Sequence, residues 1–513
     1  MNKSKKLLTF GMGLSALALM LTALNVAVLP FARALYGYGA ALSLAAMAMA
    51  LFAMLYAGRR MQRMGEHALL RAASITRPCF LILLLLAHLI MGYLMEYTPM
   101  GDNHMLFDGP RTLAQLGNFG GQDYDLYLAR FSNQWGFFLM ITAFCRGLLA
   151  LGIENQFYAM VVVQALLYTA AIHCLLSIAR RLGGVRAELL LTGLLAAFMP
   201  LYLAAAVLYT DTFSLPFVIF TLHFALKTAD AKTLPGTLLQ AAACGLCAFI
   251  GCQIKMTVAI VLIAACIVWL LSKKIGHRLC AALLSGAILV LGTQGLHGVM
   301  LRDVLDPAMV AQHNTPTIHW VMMSIPTGDN PYGNQSRDYN ITWTMMEEGA
   351  SREAVMDSIY SRMKDKIYTL RYPNRLLLAM LRKNASSQGD GTFGMTEMLD
   401  DGPVRENAVS QLVLEGRPHY AVYSAVCSGV WYAALMLAAL AVYADIRRRD
   451  LRLAIPAVSL LGMLLFLLLW EARSRYMFSF TPVLLLLAAC CASGDDQWFL
   501  RRKTYAQNPA DCG

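Results

Sequence analysis

The chain of 513 residues is 58% hydrophobic and only 14% charged, with a mean hydropathy of +0.53. Soluble domains carry about 25% charged residues, so these proportions exclude a soluble enzyme, a disordered chain and a disulfide scaffold. They describe a membrane protein with a modest water-exposed part. The net charge of +11 sits largely in short segments between apolar runs, such as Arg59, Arg60, Arg63, Arg447, Arg448 and Arg449. That is the positive-inside pattern of membrane topology and not a nucleic-acid footprint.

From the first residues onward, Lys3, Lys5 and Lys6 precede an apolar run from Leu7 to about Val28. It is longer than a secretory h-region, and predicts a retained first span. About 20 apolar residues cross a bilayer core of roughly 30 Å. On that measure the further candidates are 34–57, 79–95, 135–152, 157–180, 187–208, 212–228, 237–253, 256–272, 278–298, 421–444, 452–470 and 475–492. The predicted fold class is therefore an all-α polytopic membrane protein of 12–13 transmembrane helices, with a small, mainly helical extracytoplasmic domain. The basic segments at 58–78, 180–186, 273–278, 445–452 and 501–503 all face the cytoplasm if 135–152, short and carrying Arg146, does not cross. The N- and C-termini are then both cytoplasmic, in a multi-pass protein of the cell membrane.

Four units follow along the chain. Residues 1–78 form a helical hairpin and a basic cytoplasmic loop, and 79–298 a core transmembrane module with a first outer loop at 96–134. Residues 299–420 form the extracytoplasmic domain, and 421–513 the last spans and a cytoplasmic tail. The stretch 300–420 carries 12 basic and 15 acidic residues. Within it 346–383 has helix formers at helical spacing broken at Pro373, while Pro307, Pro316, Pro326 and Pro331 predict irregular loops.

The twelve cysteines lie mostly inside apolar runs, and neither outer segment, 96–134 or 300–420, contains one. No disulfide framework follows, and the CGLC of Cys244 and Cys247 reads as small buried hydrophobes. A Walker loop, a dinucleotide GxGxxG after a strand and an HExxH are all missing, and His313 and His319 lack partners at ligand spacing. Nothing in the pattern requires a metal, although a divalent ion is compatible with it.

Four polar groups fall on the predicted outer face. Asp102, in YTPMGDNHMLFDGPRTLAQLG, follows an apolar run closely enough to sit at the membrane surface, where a carboxylate can take a proton from a hydroxyl nucleophile. Asp108, Asp123 and Asp125 lie further along, and any one of them is equally a solvated loop residue. Asp211, in LYTDTFSLP, either orients a substrate or caps a helix. Lys255, in QIKMT, is a phosphate partner or a snorkelling anchor. WEARSRY packs Glu471, Arg473, Arg475 and Tyr476 between two apolar runs, where arginine forks match phosphate oxygens or form an ordinary charged turn.

Taken in order, these residues resemble the type C membrane glycosyltransferases, the fold of protein O-mannosyltransferases and lipid A aminoarabinose transferases, with the closest likeness to bacterial multi-spanning members described as family 39-like. The resemblance rests on GDNHMLFDGPRTLA, YLARFSNQWGFFL, LYTDTFSL, IKMT, HWVMMSIPTGDNPYGN, GDGTFG and WEARSRY. It covers most of the chain from about 90 to 492. It implies a catalytic base at Asp102, with Asp108 as a neighbouring candidate and Asp211 assisting, and a polyprenyl-phosphate sugar as donor. Lys255, Glu471, Arg473, Arg475, Tyr476, Asn133 and Gln134 are the expected substrate-binding residues. The acceptor is a hydroxyl on a lipid, protein or cell-wall polymer. The competing reading is a transporter or flippase of a lipid-linked substrate, a class that usually shows paired repeats and helices broken near the midplane.

Overall fold

The computed structural model describes residues 3–37, 39–271, 275–334, 337–399 and 406–494. Among these every extended regular element is a helix, and there is no strand ladder. In chain order the principal helices are α1 Lys3–Val28, α2 Ala40–Gln62, α3 Glu66–Leu94, α4 Gly101–Leu116, α5 Tyr124–Arg130, α6 Trp135–Ala150 and α7 Gln156–Ala197. They continue as α8 Thr210–Asp230, α9 Leu234–Ile254, α10 Ala259–Leu270, α11 Ile275–Asp303, α12 Thr317–Met323, α13 Asp338–Glu347 and α14 Arg352–Thr369. The last are α15 Pro373–Gln388, α16 Tyr420–Arg448, α17 Ala454–Leu469 and α18 Thr481–Ala492.

Nine helical segments among the described residues are long and apolar enough to cross a membrane, and two shorter apolar ones, Met256–Leu270 and Ala454–Leu469, accompany them. The surface of α1 shows why. Leu7, Phe10, Leu14, Leu17, Leu21, Leu24 and Val28 are exposed at alternating three- and four-residue steps, which places them on one face. Met12, Leu19, Ala23 and Val26 are fully buried on the other. An outward stripe of large apolar side chains is costly in water and neutral in lipid.

The predicted spans map onto these helices with one merger. Runs 157–180 and 187–208 fall largely in α7, whose helical geometry breaks at Gly184 with φ 75°, a left-handed value that glycine adopts without strain. Segment 135–152 is α6, 16 residues long, packed against α4 and short of the usual spanning length.

Two helical groups form the bundle. α16 packs on α1, α2 and α18, and α18 in turn on α7; α9 packs on both α8 and α11, and α10 meets α17 between the groups. Close backbone approach replaces hydrophobic exclusion inside lipid. At Gly429 of α16 an added Cβ would sit 2.5 Å from both Ala46 Cβ and Ser43 O of α2. Polar cross-links add to this: Ser15 Oγ donates to Ala457 O at 2.7 Å and Gln164 Nε2 to Ala204 O at 2.9 Å.

Two expectations are corrected by the helices themselves. Segment 96–134 is not an open loop, since α4 and α5 occupy most of it. Pro307 and Pro316 begin helices instead of interrupting them, Pro307 at the first helical position and Pro316 as N-cap, where the missing N–H has no intrahelical partner to lose. The break at Pro373 falls as predicted, between α14 and α15. The helical insert between α11 and α16 has a small core of its own, Met322, Met346, Val355 and Ile359. The tail beyond 494 lies outside the described residues.

Candidate active site at one end of the bundle

The start of α4, the start of α8, the end of α9 and the turn before α18 meet at one end of the bundle. α8 begins with Tyr209 as N-cap in extended conformation. Asp211 is thus inside the first turn and is not the cap, which corrects the capping alternative. A carboxylate in the first turn is favoured by the positive end of the helix dipole. Tyr168 Oη donates to Thr212 O at 2.9 Å and ties that turn to α7.

Asp211 is 2% exposed. Its Oδ1 pairs with Lys255 Nζ, and Arg475 Nε lies 3.8 Å from Oδ2. A buried carboxylate demands such partners. Lys255 caps α9 in extended geometry, which turns its side chain out of the helix. Its ammonium sits 4.3 Å above the Tyr476 ring, and the Arg475 guanidinium 5.2 Å above the Tyr209 ring. Both are cation–π distances.

Tyr209 links this cluster to the first loop. Its hydroxyl donates to Asp102 Oδ2 at 3.1 Å. Asp102 stands exposed in the first turn of α4, which opens through the left-handed Gly101 at φ 54°. A second phenol, Tyr127 of α5, reaches the same carboxylate; burial first, and the Asp102 charge second, push both tyrosines well above the usual phenol range. They stay protonated and remain donors to Asp102.

The turn 470–476 contributes the rest. Tyr476 Oη donates to Glu471 Oε2 at 2.8 Å and Arg473 Nε to Glu471 Oε1 at 3.1 Å, while Arg473 Nη1 lies 3.4 Å from Glu397 Oε2. The turn is fixed from behind by Asp390 of the GDGTFG segment. That buried carboxylate accepts from Thr392 N, Thr392 Oγ1 and Gly394 N at 2.8, 2.6 and 2.8 Å, and from Ser474 Oγ at 3.0 Å.

Of the residues expected from sequence, Asp102, Asp211, Lys255, Glu471, Arg473, Arg475 and Tyr476 are brought together. Asp108 is not part of this network. It pairs with His104 Nδ1 at 2.6 Å one turn away, and six residues along a helix place it roughly 120° around the axis from Asp102. Asn133 is exposed and Gln134 buried, and neither makes a polar contact with the cluster among the described residues. Tyr127, Tyr209, Glu397 and Asp390 were missed. Tyr209 stands two residues before Asp211 in the singled-out LYTDTFSL, and Asp390 is the acid of the quoted GDGTFG, so the signal for each was its place in a motif already picked out.

No group of three His, Cys, Asp or Glu side chains converges on a metal geometry among the described residues. What the cluster offers is a surface carboxylate held by two phenols, next to buried cations shared with a second carboxylate.

The bundle and its lipid-facing helices define a multi-pass integral membrane protein. Residues 39–494 match a family described as conserved hypothetical integral membrane protein, and the chain belongs to that family. No curated protein matches it.

Proposed function

We propose that the protein is a membrane glycosyltransferase that moves a sugar from a polyprenyl-phosphate donor to an acceptor hydroxyl at the outer face of the cell membrane. The observation that carries this reading is the hydrogen bond from Tyr209 to Asp102, because it couples an exposed carboxylate to the buried Asp211–Lys255–Arg475 group. Acid and cations then lie on two sides of one tyrosine. A transfer centre needs both, one for the attacking hydroxyl and the other for the departing phosphate.

In this reading the acceptor hydroxyl gives its proton to Asp102 as its oxygen bonds to the anomeric carbon. The bond from that carbon to the phosphate oxygen breaks, and the electron pair leaves with the polyprenyl phosphate. Tyr209 and Tyr127 hold Asp102 from the protein side, and its exposed side meets the acceptor. Arg475 and Lys255 face the phosphate, and Arg473 is positioned through Glu471 and Glu397. No strong general acid is required, because a phosphate is a good leaving group.

General-base catalysis contributes about 10²–10⁴-fold. Asp102→Asn is expected to lower transfer by at least roughly 10²-fold on that scale, with normal expression and unchanged donor affinity, while Asp108→Asn retains most activity. Purified protein, a panel of polyprenyl-phosphate sugars and mass spectrometry of the products measure both. Full activity in Asp102→Asn, or lipid translocation without transfer in wild type, overturns the assignment.

A further inference from the structure

A band of aromatic rings leaves the Asp102 carboxylate and runs across the helical insert. Tyr127, which touches Asp102, lies 4.8 Å from Phe131 between ring centroids, and Phe131 lies 5.4 Å from Trp343 and 6.1 Å from Trp320. Tyr339 lies tilted against Trp343 at 3.7 Å and stands 6.1 Å from Trp320, which is stacked on Trp470 at 6.4 Å. Four separate chain segments supply these rings: α5 with its C-cap, α12, α13 and the turn after α17.

An ordinary core would bury such rings. Here Phe131, Trp320, Tyr339, Trp343 and Trp470 are only half-buried. Their polar edges are also open: the Trp320 and Trp470 indole N–H groups and the Tyr339 hydroxyl donate to no partner among the described residues. Trp343, by contrast, donates to Thr315 Oγ1 at 3.3 Å, and Arg130 braces its face at 4.7 Å while pairing with Glu347. The Tyr339 hydroxyl stands within the field of both Asp102 and Glu471, and burial followed by the Asp102 charge pushes it above the ordinary phenol range, so it too is a donor.

We infer that this band is the acceptor subsite and that it takes a pyranose ring, so the acceptor is a carbohydrate chain. This rests on the transferase reading and names its acceptor class. A pyranose presents an apolar C–H face ringed by hydroxyls; flat aromatic faces with unsatisfied N–H and O–H donors at their edges complement both features. The donor does not need this surface. Its phosphate belongs with Arg475 and Lys255, and its lipid stays in the bilayer, whereas the band begins at the carboxylate that meets the acceptor hydroxyl and leads away over the insert. A peptide acceptor would call for backbone-directed donors and acceptors in pairs, which the rings do not offer.

The test needs no donor. The full-length protein in nanodiscs is titrated with neutral α- and β-linked hexose tetrasaccharides, and separately with Ser/Thr-rich peptides, following tryptophan emission. Saturable binding of at least one tetrasaccharide is expected. Trp320→Ala should weaken it roughly fivefold, the scale of one aromatic stacking contact, and Trp320→Phe should restore it. Tyr339→Phe, which removes only a hydroxyl, should weaken binding about threefold. Binding of peptides in place of sugars, binding of neither, or full affinity in Trp320→Ala together with Tyr339→Phe overturns the inference. If the sugars bind as described but wild type transfers nothing from any donor, the transferase reading fails while the carbohydrate site stands. If wild type transfers to an acceptor with no change of acceptor KM in either variant, only the site is wrong.

Discussion

At the residue scale the two arginines of the WEARSRY turn separate in role. Arg473 spends its contacts on Glu471 and Glu397, so it holds the turn together. Arg475 stands between the Tyr209 and Tyr476 rings at 5.2 and 5.5 Å with Asp211 Oδ2 at 3.8 Å. A planar guanidinium fits between rings and forks onto phosphate oxygens, and an ammonium does neither. Arg475→Lys is therefore expected to raise donor KM about tenfold, the scale of one charge-assisted hydrogen bond, with kcat less affected; an unchanged donor KM would return the turn to a structural role. Lys383 is a different case. It is 3% exposed, donates to Ser324 O at 2.9 Å, and burial pushes its ammonium down to about 7 from an ordinary 10.5, with Glu471 opposing. Because the folded value lies below the unfolded one, the folded state releases the proton first. Stability contributed here is lowest below pH 7 and rises between about 7 and 10.5. Lys383→Met should melt above wild type at pH 6, with the gap closing through that window. A pH-independent gap would show that the lysine stays charged in the fold.

The element scale is where sequence was most and least informative. Spans such as α1, α2 and α16 were legible because a bilayer imposes one requirement, a run of about 20 apolar residues, that composition alone reveals. The kink at Gly184 was foreshadowed only by the Arg180–Arg186 interruption, since the backbone there still closes enough helical hydrogen bonds to join both arms in α7. α4 and α5 were hidden because their apolar faces are short and serve packing: Leu106, Phe107 and Leu113 of α4 are buried beneath an otherwise polar helix. Asp102, Asp211 and Lys255 could be singled out as charges at the ends of apolar runs, where desolvation makes an unpartnered charge costly. Their mutual contact could not, because 109 residues separate Asp102 from Asp211 in chain order and the linking group, Tyr209, is a neutral side chain whose importance comes from geometry. Asn133 and Gln134 came from the YLARFSNQWGFFL stretch of the resemblance, and the fold turns that stretch elsewhere: Gly136, in the next turn, packs against Gln253.

At the scale of the molecule, charge and chemistry are segregated to opposite ends of the same helices. α16 passes the GDGTFG segment along its first half, where Tyr432 Oη donates to Gly389 O at 2.5 Å, and ends at Arg447 and Arg448. Its 29 residues span about 43 Å at 1.5 Å per residue, enough to cross a bilayer. α3 runs the other way, from Glu66 beside Arg63 to Leu94, whose carbonyl accepts from Asn407 at 2.8 Å close to the Asp102 loop. The arginine-rich end also carries Arg77–Glu188 at 3.3 Å and Arg452–Asp450 at 2.9 Å. Positive charge favours the cytoplasmic leaflet, so the positive-inside rule predicts that this end faces inward and that the helical insert with the Asp102 cluster faces out. Two exposed positions test the orientation, Ser361 in α14 and Glu66 at the start of α3. Ser361→Cys should react with an impermeant maleimide in intact cells above the background of the unsubstituted protein. Glu66→Cys should react only after the membrane is opened. The reverse pattern would invert the molecule and place the cluster where the cytoplasm supplies its substrates, a result incompatible with a lipid-linked donor presented at the outer leaflet.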